Sequence, residues 1–471
     1  MMNFNNTILL GILVIFSSCI NKGNQTKKPN IIYIYTDQQH ARMMSCAGNN
    51  WLKTPAMDYL AENGIRFTRA YTTNPVCSPA RISMMTGRFP GEFKDVNGEV
   101  VTGNIEAMKV EKISEKVEQT HLAAWLKKAD YQLVYGGKQH LPDPIDPEKL
   151  GFNVISENER SDLAKEASTY IRNNQEKPYF MIVSLINPHD ICYMAIRDFA
   201  STDQEKLLLK IGELELATLD SALKRPKGIT EEEFFNHYVP PLPPNFEPQK
   251  DEPRAIEALV EERNFRKLAR EQYTEQDWRL HRWAYCRLTE VVNAQIQIIL
   301  DALKETGQEE NTMVIFSSDH GDMDASHRLE HKSLLYEESA NIPFIVMWKG
   351  QIAEGRVDST HLVSNGLDFL PTVTDYAGIK GSADPRGLSL RPIIENPNAN
   401  WRKMLGVESE VGRMVVHEDG YKYVKYYGED SVEQLFDLNI DPYETTHFTN
   451  EAKYEDVKGS MQREFEEVWF P

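Results

Sequence analysis

With 471 residues, 41% of them hydrophobic and 26% charged, the chain is long enough for a large buried core and has none of the bias of a disordered or collagen-like protein. Its formal net charge of −19 excludes non-specific nucleic-acid binding, which needs an excess of Lys and Arg against phosphate, so any anionic ligand must be drawn in by local cations. Five cysteines do not make a disulfide framework at this length.

In chain order, the first element is the apolar run Ile8 to Phe16 within "MMNFNNTILLGILVIFSSC". It is too short to span a bilayer and suits the core of a signal peptide. Ser17 and Ser18 then precede Cys19, a pattern similar to a bacterial lipobox, so residues 1–19 read as a signal peptide with Cys19 as the lipidated residue. An exported, periplasmic lipoprotein is expected, meeting a membrane only through its lipid anchor. Residues 20–29 read as a polar linker.

A catalytic domain is expected over residues 30–400, beginning with the apolar run "IIYIYTD". Similar runs recur in "YQLVYGGK", "YFMIVSLINPH", "NTMVIFSSDHGD" and "IPFIVMWKG", separated by helical stretches such as "TPAMDYLAENG" and "QDWRLHRWAYCRLTEVVNAQIQIILDALKETG". Continuous apolar runs suit strands buried on both faces. Their alternation with helices predicts an α/β fold with a large, mostly parallel sheet flanked by helices. On the long helical pattern, Trp278, Trp283 and Tyr285 read as core. The proline-rich, acidic "NHYVPPLPPNFEPQKDEPR" reads as a surface loop, either a plain connector or a substrate rim. Over 401–471 the texture changes to short alternating runs that turn at Glu418, Asp419 and Gly420, predicting a small C-terminal antiparallel sheet closed by a helix near "EDVKGSMQREFEEVW".

In an open α/β sheet, ligands bind at the carboxyl ends of the strands. Four predicted ends carry polar residues: Asp37 and Gln38, Lys138 and His140, His189 and Asp190, Asp319 and His320. Each alone is more often a turn or cap residue; together they point to one rim. Asp37, Asp319 and the side-chain oxygen of Gln38 are hard ligands suited to Ca²⁺, and Lys138, Arg81 and Lys332 are cations available to hold an oxyanion. "CSPARISMMTG" offers Ser78 as an N-cap and Pro79 as the first helical residue, which places Cys77 at a helix N-terminus, where amide groups and the dipole favour an anion. Cys77 is then either a thiolate nucleophile or a packing residue.

From about Pro29 onward these residues resemble the type I sulfatases, the formylglycine-dependent branch of the alkaline phosphatase superfamily. "CSPAR" followed by "MMTGR" is similar to the family's modification signature and "GGKQHL" to its second one; "SSDHGD", "HKSLLYEESANIPFIV", "YKYVKYY" and "QLFDLNIDPYE" follow in family order. The resemblance implies an alkaline-phosphatase-like sheet and the oxidation of Cys77 to formylglycine by a maturation enzyme during export. One hydroxyl of the hydrated aldehyde attacks sulfur, and the other, once deprotonated, collapses to expel sulfate. It further implies that Asp37, Gln38, Asp319 and His320 hold calcium, that Arg81 and Lys138 orient the diol, that His140 is the base, and that His189 with Lys332 binds sulfate and protonates the leaving oxygen.

Two positions depart from the commoner family pattern, which has Asp at Gln38 and Asn at His320. A nitrogen ligand is unusual for Ca²⁺, so His320 either hydrogen-bonds instead or the site takes another divalent metal. Gln139 stands where the family commonly has tryptophan, which opens the pocket. The expected activity is that of a sulfuric ester hydrolase acting on a sulfated carbohydrate. Overall acidity disfavours tracking along a polysulfated chain, which points to an exo-acting enzyme on the terminal sugar of a host-type glycan, a mucin O-glycan or glycosaminoglycan fragment. Asp190 and the loop around His237 to Glu247 are expected to read the sugar hydroxyls. The rivals are an aryl or choline sulfatase, a phosphatase or phosphodiesterase of the same superfamily with Cys77 unmodified, and a non-catalytic glycan-binding lipoprotein. His327 and His331 flank the site region without a role.

Overall fold

The computed structural model describes residues 28–174, 176–379, 386–428 and 432–470; the signal peptide, Cys19 and most of the linker lie outside the described residues. Strands follow the apolar runs. They are β1 (Asn30–Asp37), β2 (Gly64–Phe67), β3 (Ala70–Tyr71), β4 (Gln132–Gly137), β5 (Asn153–Ser156), β6 (Tyr179–Pro188), β7 (Thr312–Ser318), β8 (Phe344–Met347), β9 (Arg356–Asp358), β10 (Val363–Ser364), β11 (Met404–Glu408), β12 (Gly412–His417), β13 (Tyr421–Tyr426) and β14 (Glu433–Asp437).

Eight of them form one sheet in the order β5-β4-β6-β1-β7-β8-β2-β9. β1 pairs in parallel with β6 and β7, Tyr33 standing opposite Ile182 on one side and Ile315 on the other. Only the pairings of β8 with β2 and β7 are antiparallel in this sheet. All eight residues of β1 are buried, as an apolar run without alternation requires of a strand covered on both faces. Its odd residues Ile31, Tyr33 and Tyr35 join one core with Phe344, Phe369 and Leu370. Its even residues Ile32 and Ile34 join another with Leu163, Ala167, Ile296, Ile299 and Leu303, from the helices Leu163–Asn173 and Glu275–Glu305. Each fully buried Ile, Leu or Phe contributes roughly 1.5–3 kcal/mol. Trp278, Trp283 and Tyr285 are buried on the long helix.

Because β4, β6, β1 and β7 are parallel and adjacent, their carboxyl ends share one rim. This puts the segments after Gly137, Pro188, Asp37 and Ser318 side by side.

The C-terminal strands β11 to β14 form a separate antiparallel meander, turning from β12 to β13 at Gly420, whose φ of +89° is available to glycine without a Cβ penalty. One face packs Val415, Tyr423 and Leu435 on Met461 and Phe465 of the helix Glu455–Trp469. The other packs Val407, Met414, Val424 and Phe436 on Leu334, Leu335 and Tyr336. Lys422 is buried between Glu337 Oε1 at 3.1 Å and Glu444 Oε1 at 2.7 Å, so the unit is also tied to the main domain by paired charge.

One expectation needs correction. The helix Cys77–Thr86 starts at Cys77 itself, with Val76 extended at the cap (φ −142°, ψ 141°). Ser78 does not cap it; the Ser78 N–H donates to Asn104 Oδ1 at 2.9 Å, so a neighbouring segment satisfies the orphan donor that a cap side chain otherwise would. The proline-rich segment has the connector's role: Asn245 and Gln249 are buried, donating to Tyr443 O (2.8 Å) and Glu444 O (2.7 Å), and Asn245 O accepts from His327 N–H (2.6 Å). Those polar contacts strap the C-terminal unit.

Candidate active site

Cys77 opens its helix, where the dipole favours negative charge. Its Sγ accepts from Lys332 Nζ at 3.0 Å and lies 3.2 Å from His320 Nε2 and 3.5 Å from Asp37 Oδ1. Burial and Asp37 push the thiol up, but Lys332, Lys138 and His320 outweigh them and hold it well below the usual thiol range. The other described cysteines lack this surrounding: burial pushes Cys286 up to about 12 and raises Cys192 further.

Arg81 follows by one helical turn and so projects from the same face. Nη2 donates to Asp37 Oδ2 (2.8 Å), Nε to Asp319 Oδ2 (2.9 Å), and Nη1 to Lys138 O (2.7 Å) and Ser184 Oγ (2.9 Å). Its donors are thus spent on the floor of the site. Lys138 Nζ lies 2.8 Å from Asp37 Oδ2. The strand can deliver Lys138 there because Gly137, at φ +93°, passes so close to β6 that a Cβ would stand 2.1 Å from Ser184 O.

The two carboxylates divide their oxygens. Both Oδ2 atoms face Arg81; both Oδ1 atoms face His320 Nε2, at 3.7 Å from Asp37 and 3.6 Å from Asp319. His320 Nδ1 lies 2.8 Å from Gly321 O, an acceptor that fixes one proton on Nδ1; burial lowers the imidazole but Asp319 and Cys77 prevail and raise it, so a cation bound in the cluster would take the place of the second proton on Nε2. Asp37, Cys77, Asp319 and His320 offer atoms all within 4.8 Å of one another. Gln38 adds Oε1, which accepts from Lys332 Nζ at 2.9 Å. Burial raises the Asp37 carboxyl, but Lys138, Arg81 and Lys332 prevail and hold it well below the carboxylate range; burial and the charge of Asp37 push Asp319 up to about 6. Two buried carboxylates whose Oδ1 atoms converge on one imidazole nitrogen fit a divalent cation, which offsets their mutual repulsion, and Lys332 links Gln38 Oε1 to that group through Cys77.

His140 and His189 border the cluster, each with a buried Nδ1 lacking a protein partner. Burial lowers both, Lys138 adding to the effect on each, so the two imidazoles are neutral at neutral pH. Asp190 is buried, and Arg160 Nη2 donates to its Oδ1 at 2.9 Å and Nη1 to its Oδ2. The side chain of the pair nearer solvent is Arg160, which also meets Glu215 at 2.9 Å. His331 pairs with Glu330, and His327 stacks on Tyr336 at 4.2 Å, which accounts for both without chemistry.

Three further residues reach the site that the sequence patterns do not mark. Asp322 accepts from Gln38 Nε2 at 2.6 Å, Cys192 Sγ donates to Gln38 Oε1 at 3.0 Å, and Tyr285 OH donates to Gln38 O at 2.6 Å. Asp322 lies inside "SSDHGD", where its neighbours Asp319 and His320 are a signal for it; the other two come from distant segments.

The sulfatase family model matches residues 29–379, and a model described as N-sulphoglucosamine sulphohydrolase, C-terminal, matches 325–469. The chain is 25% identical to the N-acetylglucosamine-6-O-sulfatase of Bacteroides thetaiotaomicron, across 98% of this chain and 90% of that protein. It is 26% identical to the Delta 4,5-hexuronate-2-O-sulfatase of the same species, across 92% and 86%. A solved 2-O GAG sulfatase shares the fold with a TM-score of 0.75 at 25% identity, covering 94% of this chain and 92% of that one. The chain belongs to the sulfatase family, the type I sulfatases of the alkaline phosphatase superfamily, and is a sulfuric ester hydrolase.

Proposed function

We propose that the protein removes a sulfate ester from the terminal sugar of a short glycan, using Cys77 after its conversion to formylglycine, with Ca²⁺ held by Asp37, Gln38, Asp319 and His320. The observation that carries this reading is the placement of Cys77 Sγ within 3.5 Å of Lys332, His320 and Asp37 at a helix N-terminus. Converted Cys77 supplies a hydroxyl nucleophile together with a route to expel sulfate by elimination. A divalent cation, when bound, supplies positive charge opposite the sulfate oxygens and the nucleophile.

The chain's own groups account for the rest. Arg81 locks the two carboxylates from below, so their Oδ1 atoms are fixed before substrate arrives. Lys332, in contact with Cys77 Sγ, and Lys138 are the cations that hold the sulfate. His140, kept neutral by burial and by Lys138, is able to take a proton from the nucleophilic side chain. His189 is also neutral in the free site. An arriving sulfate anion raises its proton affinity, which is the direction an acid serving the leaving oxygen needs.

The two Bacteroides relatives act, by name, on sulfated sugars, which favours a carbohydrate substrate, of mucin or glycosaminoglycan type. An arylsulfatase of Clostridium perfringens is also related, at 27% identity over 91% of this chain, and keeps the aryl reading as the alternative. Residues 1–19 act as a leader, Cys19 is lipidated, and a maturation enzyme converts Cys77 in the course of export to the periplasm. No helix among the described residues is long and apolar enough to cross a membrane. Asp190 reads the sugar hydroxyls together with Arg160, which it holds and which is the side chain of the pair nearer solvent. The test is a panel of sulfated monosaccharides and oligosaccharides, each sulfated at one defined position. Cleavage of one terminal position is expected. Faster turnover of aryl or choline sulfates than of any sugar would contradict the carbohydrate assignment, and efficient internal attack on long polymers would contradict exo action.

A further inference from the structure

Gln38 is fully buried, has a left-handed backbone (φ 71°), and engages every polar group it owns. Its N–H donates to Asp319 Oδ1 (3.1 Å) and its carbonyl accepts from Tyr285 OH (2.6 Å). Nε2 donates to Asp322 Oδ2 (2.6 Å), and Oε1 accepts from Lys332 Nζ (2.9 Å) and Cys192 Sγ (3.0 Å). A primary amide is nearly symmetric in shape, yet half a turn exchanges an oxygen that ligates a cation for an NH₂ group that repels it. The sense of the amide therefore decides whether Gln38 belongs to the site.

Two partners set that sense from opposite ends. An ammonium has only hydrogens to offer, so the end beside Lys332 is the oxygen. The same Nζ touches Cys77 Sγ at 3.0 Å, so one ammonium links this oxygen to Cys77 of the Asp37, Cys77, Asp319 and His320 group. Lys332 is also the residue that holds substrate sulfate, and so is not a lasting lock. Asp322 carries no such double duty. It is fully buried, and its remaining oxygen, Oδ1, accepts the Asp324 N–H at 2.7 Å. That bond anchors the carboxylate within its own turn.

We propose that Asp322 is a positioning residue for the divalent cation, holding Gln38 Nε2 so that Oε1 stays turned toward the ligand group. The proposal rests on the cation reading given above, and the two are tested separately. Calcium alone is titrated into the full-length protein against a chromophoric chelator, and melting temperature is read with and without Ca²⁺. Binding by the wild type tests the cation reading; if the wild type binds no Ca²⁺, Mg²⁺, Mn²⁺ or Zn²⁺, that reading fails and the positioning role falls with it. Asp322→Asn can offer its one oxygen to Asp324 N–H or to Gln38, not to both, and no longer fixes the amide. It is expected to weaken Ca²⁺ binding at least tenfold while the melting temperature without Ca²⁺ stays within a few degrees of wild type.

Gln38→Glu removes the need for orientation, because its two oxygens are equivalent. Asp322→Asn added to Gln38→Glu is therefore expected to change the affinity by less than about threefold, a coupling that a merely structural role does not produce. Asp322→Ser serves in the same cycle if Asp322→Asn does not fold. An unchanged Ca²⁺ affinity in Asp322→Asn, or an equal loss in both backgrounds, overturns the proposal.

Discussion

Arg81 and Asp319 form a fully buried pair at the floor of the site, with Arg81 Nε 2.9 Å from Asp319 Oδ2 and neither side chain exposed. The same guanidinium reaches Asp37 Oδ2 at 2.8 Å, so one cation ties the end of β1 to the end of β7. The residue one helical turn after the nucleophile thereby sets the spacing of the two carboxylates.

Replacing Arg81 is expected to unfold as well as inactivate. Arg81→Ala leaves Asp37 with Lys138 at 2.8 Å and Asp319 with the His320 and Gln38 N–H groups at 2.9 and 3.1 Å, and removal of one side of a buried pair typically costs about 3–5 kcal/mol. Arg81→Lys keeps the charge but cannot bridge both oxygens, and is expected to recover stability only in part. Urea unfolding measures both. A variant as stable as wild type would show that the clamp is not structural.

His189 is expected to separate substrates by leaving group. His189→Ala should slow esters of sugar hydroxyls, which depart poorly, far more than activated aryl sulfates, which need no proton. kcat for the two classes, measured side by side, is the readout; equal losses would assign His189 to sulfate binding alone.

The pH dependence of stability has one contributor far from the site. His121 Nδ1 accepts the Ala124 N–H at 3.1 Å as the cap of the helix Leu122–Lys128. Burial, with Lys127 and Lys128, lowers His121 to about 4, against an unfolded value of about 6.5. The unfolded chain therefore binds the proton more readily between these values. The contribution is fully present above about pH 6.5 and is lost as pH falls toward 4, on the order of 3 kcal/mol in all. His121→Asn caps without titrating, so the difference in melting temperature between the two proteins is expected to change across this window. A constant difference from pH 7 to pH 4 would rule the contribution out.

Much of this architecture is written in local patterns, and some is not. β1, β6 and β7 are legible because strands covered on both faces cannot alternate, and the polar residue that ends each run marks the rim. Cys77 and Arg81 are legible because a helix puts positions four apart on one face. What escapes is any role that depends on a partner far away in the chain. Gln38 and Asp322 are 284 positions apart, and nothing in either segment announces the other. Asp190 resembles a hydroxyl reader because it follows His189, but nothing there announces Arg160, 30 positions earlier, which its carboxylate holds. Ser78 resembles a cap because its type suits one, and a side chain brought in by tertiary packing fills that need instead.

The formylglycine mechanism is decided by peptide mass spectrometry across residues 74–88 of protein purified active from its own host. The aldehyde is expected in place of the Cys77 thiol, and Cys77→Ser is expected to bind substrate without turnover in a host that cannot oxidise serine. A fully active preparation carrying only the unmodified thiol would contradict that mechanism.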